Sequence, residues 1–142
     1  MKIQNILATK GSQVVTVRTG QMLTEAINLL VQHNIGAVIV LDDAGQVGGI
    51  LSERDIVRAV NRGEDLATRR VLDVMTRRVI FGSPQDDLTS VMQTMTVKRF
   101  RHLPILDRGK LVGLISIGDI VKAKLDEYQG AVETLETQII GN

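Results

Sequence analysis

The chain has no cysteine among its 142 residues, which excludes disulfides, thiolate nucleophiles and thiolate metal sites and fits a reducing compartment. Tryptophan is absent too, and Phe81, Phe100 and Tyr128 are the only aromatic residues. Few rings are therefore available for stacking on nucleic-acid bases. Neither sign of charge dominates: 17 Lys and Arg stand against 16 Asp and Glu. Bulk electrostatics thus gives no pull toward nucleic acid or acidic membranes. No stretch approaches the roughly 18 uninterrupted apolar residues that a membrane span requires. The first seven residues, Met1 to Leu7, lack the apolar segment of a secretory leader. A cytoplasmic protein without a membrane segment is expected.

Catalytic patterns are missing as well. Two His and no Cys leave little from which to build a zinc site. Gly45-Gln46-Val47-Gly48-Gly49 does not fit Gly-x-Gly-x-x-Gly and does not open a helix. There is no Walker loop. Ser116, His102 and Asp119 could be assembled into a triad on paper, but no nucleophile elbow accompanies them. A non-catalytic protein is expected.

What is present is an aliphatic core and an internal repeat. Hydrophobic residues make up 44% of the chain, enough for one compact body of ordinary domain size. Val14-Val15, Leu23, Ala26, Leu30, Val38, Val40, Leu41 and Asp42 recur at an offset of 65 residues. Their partners are Val79-Ile80, Leu88, Val91, Met95, Leu103, Ile105, Leu106 and Asp107. Beyond a turn that is one residue shorter in the second copy, the offset becomes 64. Gly49, Ser52, Asp55 and Ala59 then match Gly113, Ser116, Asp119 and Ala123.

Each copy reads as β-α-β-β-α. Extended stretches (Gln13 to Arg18; Arg78 to Phe81) lead into helices. In the first, Leu23, Ala26, Ile27, Leu30 and Val31 follow the spacing of one buried helix face. Ala37 to Leu41 and Val47 to Leu51 flank a turn that contains Gly45, a hairpin pattern echoed around Asp107-Arg108-Gly109. A last helix begins near Glu53 or Ile117, with Ile56, Val57 and Val60 apolar in one copy and Ile120, Val121 and Leu125 in the other. Units of about 60 residues are marginal alone, so stacking the two into a pseudo-symmetric body is expected. The division reads as 1–66 for the first repeat with its N-terminal segment and 67–128 for the second with a connector, helical from Leu66 to Met75. A helical tail occupies 129–142, with Val132, Leu135 and Ile139 on one face.

The repeated Ser52-x-x-Asp55 and Ser116-x-x-Asp119 are helix-start signals, since Ser accepts from an early helix amide while the acid reaches back to the cap. A helix start also attracts anions, and a neighbouring glycine permits close approach of a ligand.

A tandem β-α-β-β-α pair with Gly-apolar-apolar-Ser-x-x-Asp at each last strand-to-helix junction resembles the CBS domain, the family named for cystathionine β-synthase. Its paired form is called a Bateman module. Asp73-Val74-Met75-Thr76 and Arg101-His102-Leu103-Pro104-Ile105 carry the same resemblance, which extends over about residues 1 to 128. The implied fold is a mixed α/β (α+β) pair of pseudo-symmetric repeats. The implied activity is binding of AMP, ADP, ATP, NAD or S-adenosylmethionine in two clefts between the repeats.

Carried over by position, Asp55 and Asp119 would hold ribose hydroxyls, with Ser52 and Ser116 near phosphate. Thr16, Val17 and Arg18 would line one cleft, with Ile35, Gly36 and Ala37 opposite; Phe81, Gly82 and Ser83 would be the counterparts in the other. Arg101 and His102 stand where the family often carries phosphate-binding residues, followed in the same strand by Pro104. Arg101 suits that role through its bidentate fork, and His102 through a charge responsive near neutral pH. His33, near a helix end, reads as a surface residue.

The copies differ: Gly36-Ala37 stands where the second has Arg101-His102, and Arg54 stands where it has Gly118. The first cleft is therefore expected either to borrow phosphate ligands from the other repeat or to bind weakly. The expected protein is a sensor of adenine nucleotides, homodimeric, acting on a separate regulated protein. The alternatives are a structural dimerisation module with empty clefts, or a nucleic-acid binder using Arg69-Arg70, Arg77-Arg78 and Lys98-Arg99, against which the balanced charge argues.

Overall fold

The computed structural model describes residues 1–11 and 13–140, with side chains up to residue 131. In chain order the elements are α1 (Ile3–Lys10), β1 (Thr16–Arg18), α2 (Leu23–His33), β2 (Ala37–Leu41), β3 (Val47–Ser52) and α3 (Glu53–Asn61). A 3₁₀ turn (Leu66–Thr68) follows, then α4 (Val71–Val74), α5 (Leu88–Lys98), β4 (His102–Asp107), β5 (Lys110–Ser116) and α6 (Ile117–Ile140). The connector is thus helical only in two short pieces. The apolar face expected from Val132, Leu135 and Ile139 lies outside the described side chains.

The repeat is visible in the strand register. In the first copy β1 runs parallel to β2, with Val17 opposite Val40, and β2 pairs antiparallel with β3. In the second, β4 pairs antiparallel with β5, and the first strand is reduced to a parallel bridge between Gly82 and Ile105. Gly82 lies where Val17 lies, opposite the residue matching Val40. A Cβ at Gly82 would come within 2.6 Å of the end of the Leu103 side chain and 3.0 Å of that of Ile105, so two side chains of β4 lie over this glycine. Both hairpins also carry a bulge at the same place, between Val40 and Leu41 and between Ile105 and Leu106.

Burial follows the period-two alternation of strands. Val38 and Val40 turn into a core with Val17, Leu23, Ala26, Leu30 and Leu51. Ala37 and Ile39 turn the other way and, with Ile50, meet Val79, Leu111 and Leu114 of the second copy. This seam holds the repeats together. The second core gathers Leu88, Val91, Met95, Leu103, Ile105, Ile115 and Ile120.

The short helices α1 and α4 cross the sequence order. Ile3 and Ile6 of α1 are buried in the second core, whereas Val71 and Val74 of α4 are buried in the first. Matching backbone bonds dock them: Ile3 donates to the Asp86 carbonyl as Val71 donates to that of Gln21. Leu88 donates to Met1 as Leu23 donates to Arg69.

Helical periodicity located apolar stripes but not always the buried face. Val31, Val57, Val60, Val121 and Leu125 are all exposed. In α3 the buried positions are instead Asp55 and Ala59, with Ile56 packed against the first core.

Candidate functional site

Each Ser-x-x-Asp forms the expected cap. The Ser52 amide donates to Asp55 Oδ2 at 2.9 Å, and the Asp55 amide donates to Ser52 Oγ at 3.4 Å. The Ser116 amide donates to Asp119 Oδ2 at 2.8 Å, and the Asp119 amide donates to Ser116 Oγ at 3.1 Å. Both helices are also clasped to the residue before the central strand of their own copy: Glu53 N donates to the Gly36 carbonyl, and Ile117 N to that of Arg101.

The two carboxylates then diverge. Asp55 is buried, and its second oxygen accepts from Thr76 Oγ1 at 2.8 Å. With the Ser52 hydroxyl also donating to it at 3.2 Å, three of about four acceptor positions are used. Asp119 is partly open and accepts from Lys10 Nζ at 2.7 Å; the same ammonium donates to the Leu114 carbonyl. Burial pushes the Asp119 carboxyl up, but the Lys10 bond, the Ser116 amide and the Lys10 charge outweigh it and hold it below 3.8. In both copies a lead-in segment delivers the additional donor: Thr76 follows α4, and Lys10 ends α1.

A cleft opens at the head of each of these helices, between the copies. The first, of about 320 Å³, joins Ser52, Glu53, Arg54, Asp55 and Arg58 of the first copy to Arg78, Val79, Ile80, Lys98, Arg99, Phe100, Arg101 and His102 of the second. The second, of about 330 Å³, joins Ser116, Asp119 and Leu114 to Lys10, Gln13, Val14, Val15, Asn34, Ile35, Gly36 and Ala37. Both volumes lie at the lower end of the range for small-molecule sites. Gly36 and His102 border both clefts. A Cβ on Gly36 would come within 3.4 Å of His102 Nε2, so the glycine admits the imidazole.

Of the residues expected from the sequence, Ser52, Arg54, Asp55, Arg101 and His102 share the first cleft. Ile35, Gly36, Ala37, Ser116 and Asp119 share the second. The first copy, with Gly36 and Ala37 at the matching positions, thus faces the basic pair of its neighbour. Thr16, Val17, Arg18, Phe81, Gly82, Ser83 and Pro104 are not among the described residues that line either cleft. Val17 is packed into the first core and pairs within the sheet. Pro104 is buried in β4, its carbonyl accepting from Gly82. Phe81 lies beside Gln85 and Asp86 on another surface. The lining comes from the segment just before, Val14-Val15 and Val79-Ile80, because the chain passes the clefts before it joins the sheets. His33 is exposed at the end of α2.

Charge separates the clefts further. The first is bordered by Arg54, Arg58, Arg78, Lys98, Arg99 and Arg101 against the carboxylates of Glu53 and Asp55. Among the described residues, ion pairs join Lys10 to Asp119, Arg62 and Arg69 to Glu64, and Lys124 to Glu127. None of the six cations of the first cleft takes part. Burial lowers the pKa of His102 below 6.5, reinforced by Lys10 and Arg101 and opposed by Asp119 and Glu53. Among the described residues no cluster of His, Asp or Glu could hold a metal ion, and no helix is long and apolar enough to cross a membrane.

Comparison with known proteins agrees with this fold. A family model for the CBS domain matches twice, over residues 6–62 and 71–126. The CBS domain-containing protein YhcV of Bacillus subtilis is 36% identical over 134 residues, covering 93% of this chain and 94% of its own. CBSX3 of Arabidopsis thaliana, named as a mitochondrial CBS domain-containing protein, is 30% identical over 98% of this chain and 72% of its own. The CBS-domain protein ATU1752 of Agrobacterium tumefaciens superposes with a TM-score of 0.84 at 41% identity, over 87% of this chain and 99% of that one. The CBS pair of MJ0100, solved with 5′-methylthioadenosine and S-adenosylmethionine, has the same fold at a TM-score of 0.79 and 23% identity, over 89% of this chain and 98% of that one. With both copies matched, the chain belongs to the CBS domain family, as a tandem pair of CBS repeats.

Proposed function

We propose that this CBS pair is a non-catalytic regulatory module that binds adenine nucleotides (AMP, ADP, ATP or NAD) in the clefts between its repeats and conveys their occupancy to a separate protein. The observation that carries this reading is the first cleft. There a buried carboxylate at a helix head, Asp55, shares one concavity with an apolar wall and cations that form no ion pair among the described residues. An adenosine phosphate brings the complementary groups. Its ribose hydroxyls suit the remaining acceptor position of Asp55, its base suits Ile50, Val79 and Ile80, and its phosphate suits the guanidinium of Arg101. That the same fold holds adenosine-containing ligands in MJ0100 is consistent with this.

Regulation requires that the ligand prefer one conformation or assembly over another. Because the clefts lie between the copies, a bound ligand can bias the angle between them. Homodimerisation has an observation of its own: Val57 and Val60 on α3 and Val121, Leu125 and Tyr128 on α6 are exposed. Apolar side chains on neighbouring turns of one helix suit a partner surface.

A thermal-shift panel with AMP, ADP, ATP, NAD and S-adenosylmethionine tests the sensor reading. A ligand at 100 times its dissociation constant stabilises by about 2.7 kcal/mol. Asp55→Asn, which keeps the shape of the cap, is expected to abolish the shift from the first cleft. If no nucleotide at millimolar concentration moves the melting temperature, the structural dimerisation reading replaces this one.

A further inference from the structure

Six cations around one cleft are more than a single phosphate requires. Arg54, Arg58, Arg78, Lys98, Arg99 and Arg101 outnumber the carboxylates of Glu53 and Asp55 by four, and Asp55 is already committed to Ser52 and Thr76. Like charges held together without partners repel. A phosphate monoester brings about two negative charges at neutral pH, and each further phosphate in a chain adds about one.

The cleft is also not closed on this side. Arg54, Arg58, Arg99 and Arg101 continue from it into an adjoining groove of about 570 Å³, whose lining also includes Thr96 and Ile117. Arg54 and Arg58 lie four residues apart on α3 and so project from the same face, one turn apart. Arg99 caps α5 in the left-handed conformation, at φ 58°. Asn34, of a type that tolerates this conformation better, occupies the same place after α2, at φ 51°. The second cleft lacks the array. Gly118, Lys122, Gln13, His33, Asn34 and Gly36 match the six cations in order, and its Lys10 is paired with Asp119.

We infer that the first cleft selects its ligand by the length of the phosphate chain. It takes adenine nucleotides with three or more phosphates in preference to a monophosphate, and the distal phosphates lie in the groove lined by Arg54, Arg58 and Arg99. This rests on the adenine-nucleotide reading and adds to it a ligand class and an outer subsite. The second cleft shows no such preference.

Titration calorimetry on the full chain with adenosine, AMP, ADP, ATP and inorganic tripolyphosphate, at 50 and 200 mM salt, tests it. ATP is expected to bind about tenfold or more tightly than AMP, with the steeper salt dependence of a more highly charged ligand. Arg58→Gln and Arg99→Gln, both exposed and in no ion pair among the described residues, are expected to weaken ATP by about five- to tenfold and AMP by a smaller factor, so that the preference for ATP shrinks. Nucleotides that bind with equal affinity whatever their chain length overturn this inference and leave the sensor reading standing. Tripolyphosphate binding that needs Arg58 and Arg99, without any binding of adenosine phosphates, supports the outer subsite and overturns the adenine reading. A single-stranded oligonucleotide that binds more tightly than ATP overturns both, and so does the absence of any binding.

Discussion

At the scale of the residue, one side chain serves two ends. Asp55 completes the cap of α3 and also faces the first cleft, so any substitution there reports on both. Asp55→Ala removes the acceptor for the Ser52 amide, the Ser52 hydroxyl and Thr76 Oγ1. Loss of a cap together with a buried acceptor costs about 2 kcal/mol. Asp119→Ala removes the acceptor for the Ser116 amide and Lys10, but that site is more open and the freed ammonium reaches water. About 1 kcal/mol is expected there. Urea denaturation of the two variants checks the order: equal losses would mean that the burial of Asp55 carries no weight. The Ser-x-x-Asp spacing made both caps legible in the sequence, since a cap is local. The Lys10–Asp119 pair was not legible, because 109 residues separate its members and no local pattern records it.

At the scale of the element, the lead-in segments decide where the clefts open. Met75 and Thr76, which follow α4, press on β3, and α1 presses on β5, at the glycines that match between copies. A Cβ on Gly49 would lie 2.5 Å from the Thr76 carbonyl oxygen and 3.1 Å from Met75 Sδ. A Cβ on Gly113 would meet only the end of the Leu7 side chain. A side chain can turn away, whereas a carbonyl hydrogen-bonded to Ile50 N cannot without breaking that bridge. Gly49→Ala is therefore expected to cost about 2 to 3 kcal/mol and Gly113→Ala less than about 1.5 kcal/mol. Comparison of their denaturation midpoints with wild type checks this, and a Gly113→Ala loss as large as that of Gly49→Ala would contradict it. The β-α-β-β-α order was readable because two copies of the pattern agree with only one gap. The sequence reading puts a cleft wall at Thr16–Arg18, whereas in the structure Val14-Val15 border the second cleft. An extended apolar run does not reveal where it leaves the solvent-facing path and enters the sheet. The exposed Val57 and Val60 arise similarly, since periodicity marks an apolar stripe without saying what covers it.

At the scale of the whole molecule, the copies are interlocked. Each core borrows a helix from across the sequence boundary, and the seam between the copies carries His102, which borders both clefts. The basic cleft wall was hidden in the sequence for the same reason: Arg54 and Arg58, Arg78, and Lys98 to Arg101 come from three separate segments. The imidazole faces Lys10 and Arg101, which disfavour its charge, and Asp119 and Glu53, which favour it; burial against Gly36 tips the balance to the neutral form. Its folded pKa therefore lies below the 6.5 of the exposed group. As pH falls through 6.5, the unfolded chain takes up a proton that the folded chain still refuses, so this residue makes stability fall with decreasing pH. Above that window the contribution is flat. His102→Gln, which keeps a polar side chain at the seam, is expected to reduce the loss of stability between pH 7.5 and 5.5, measured as the urea midpoint at each pH. A phosphate bound in the first cleft would act in the opposite direction, because an anion beside His102 favours the imidazolium. Nucleotide affinity should then rise as pH falls through the same window, and an unchanged pH dependence of binding in His102→Gln would remove His102 from the phosphate's surroundings.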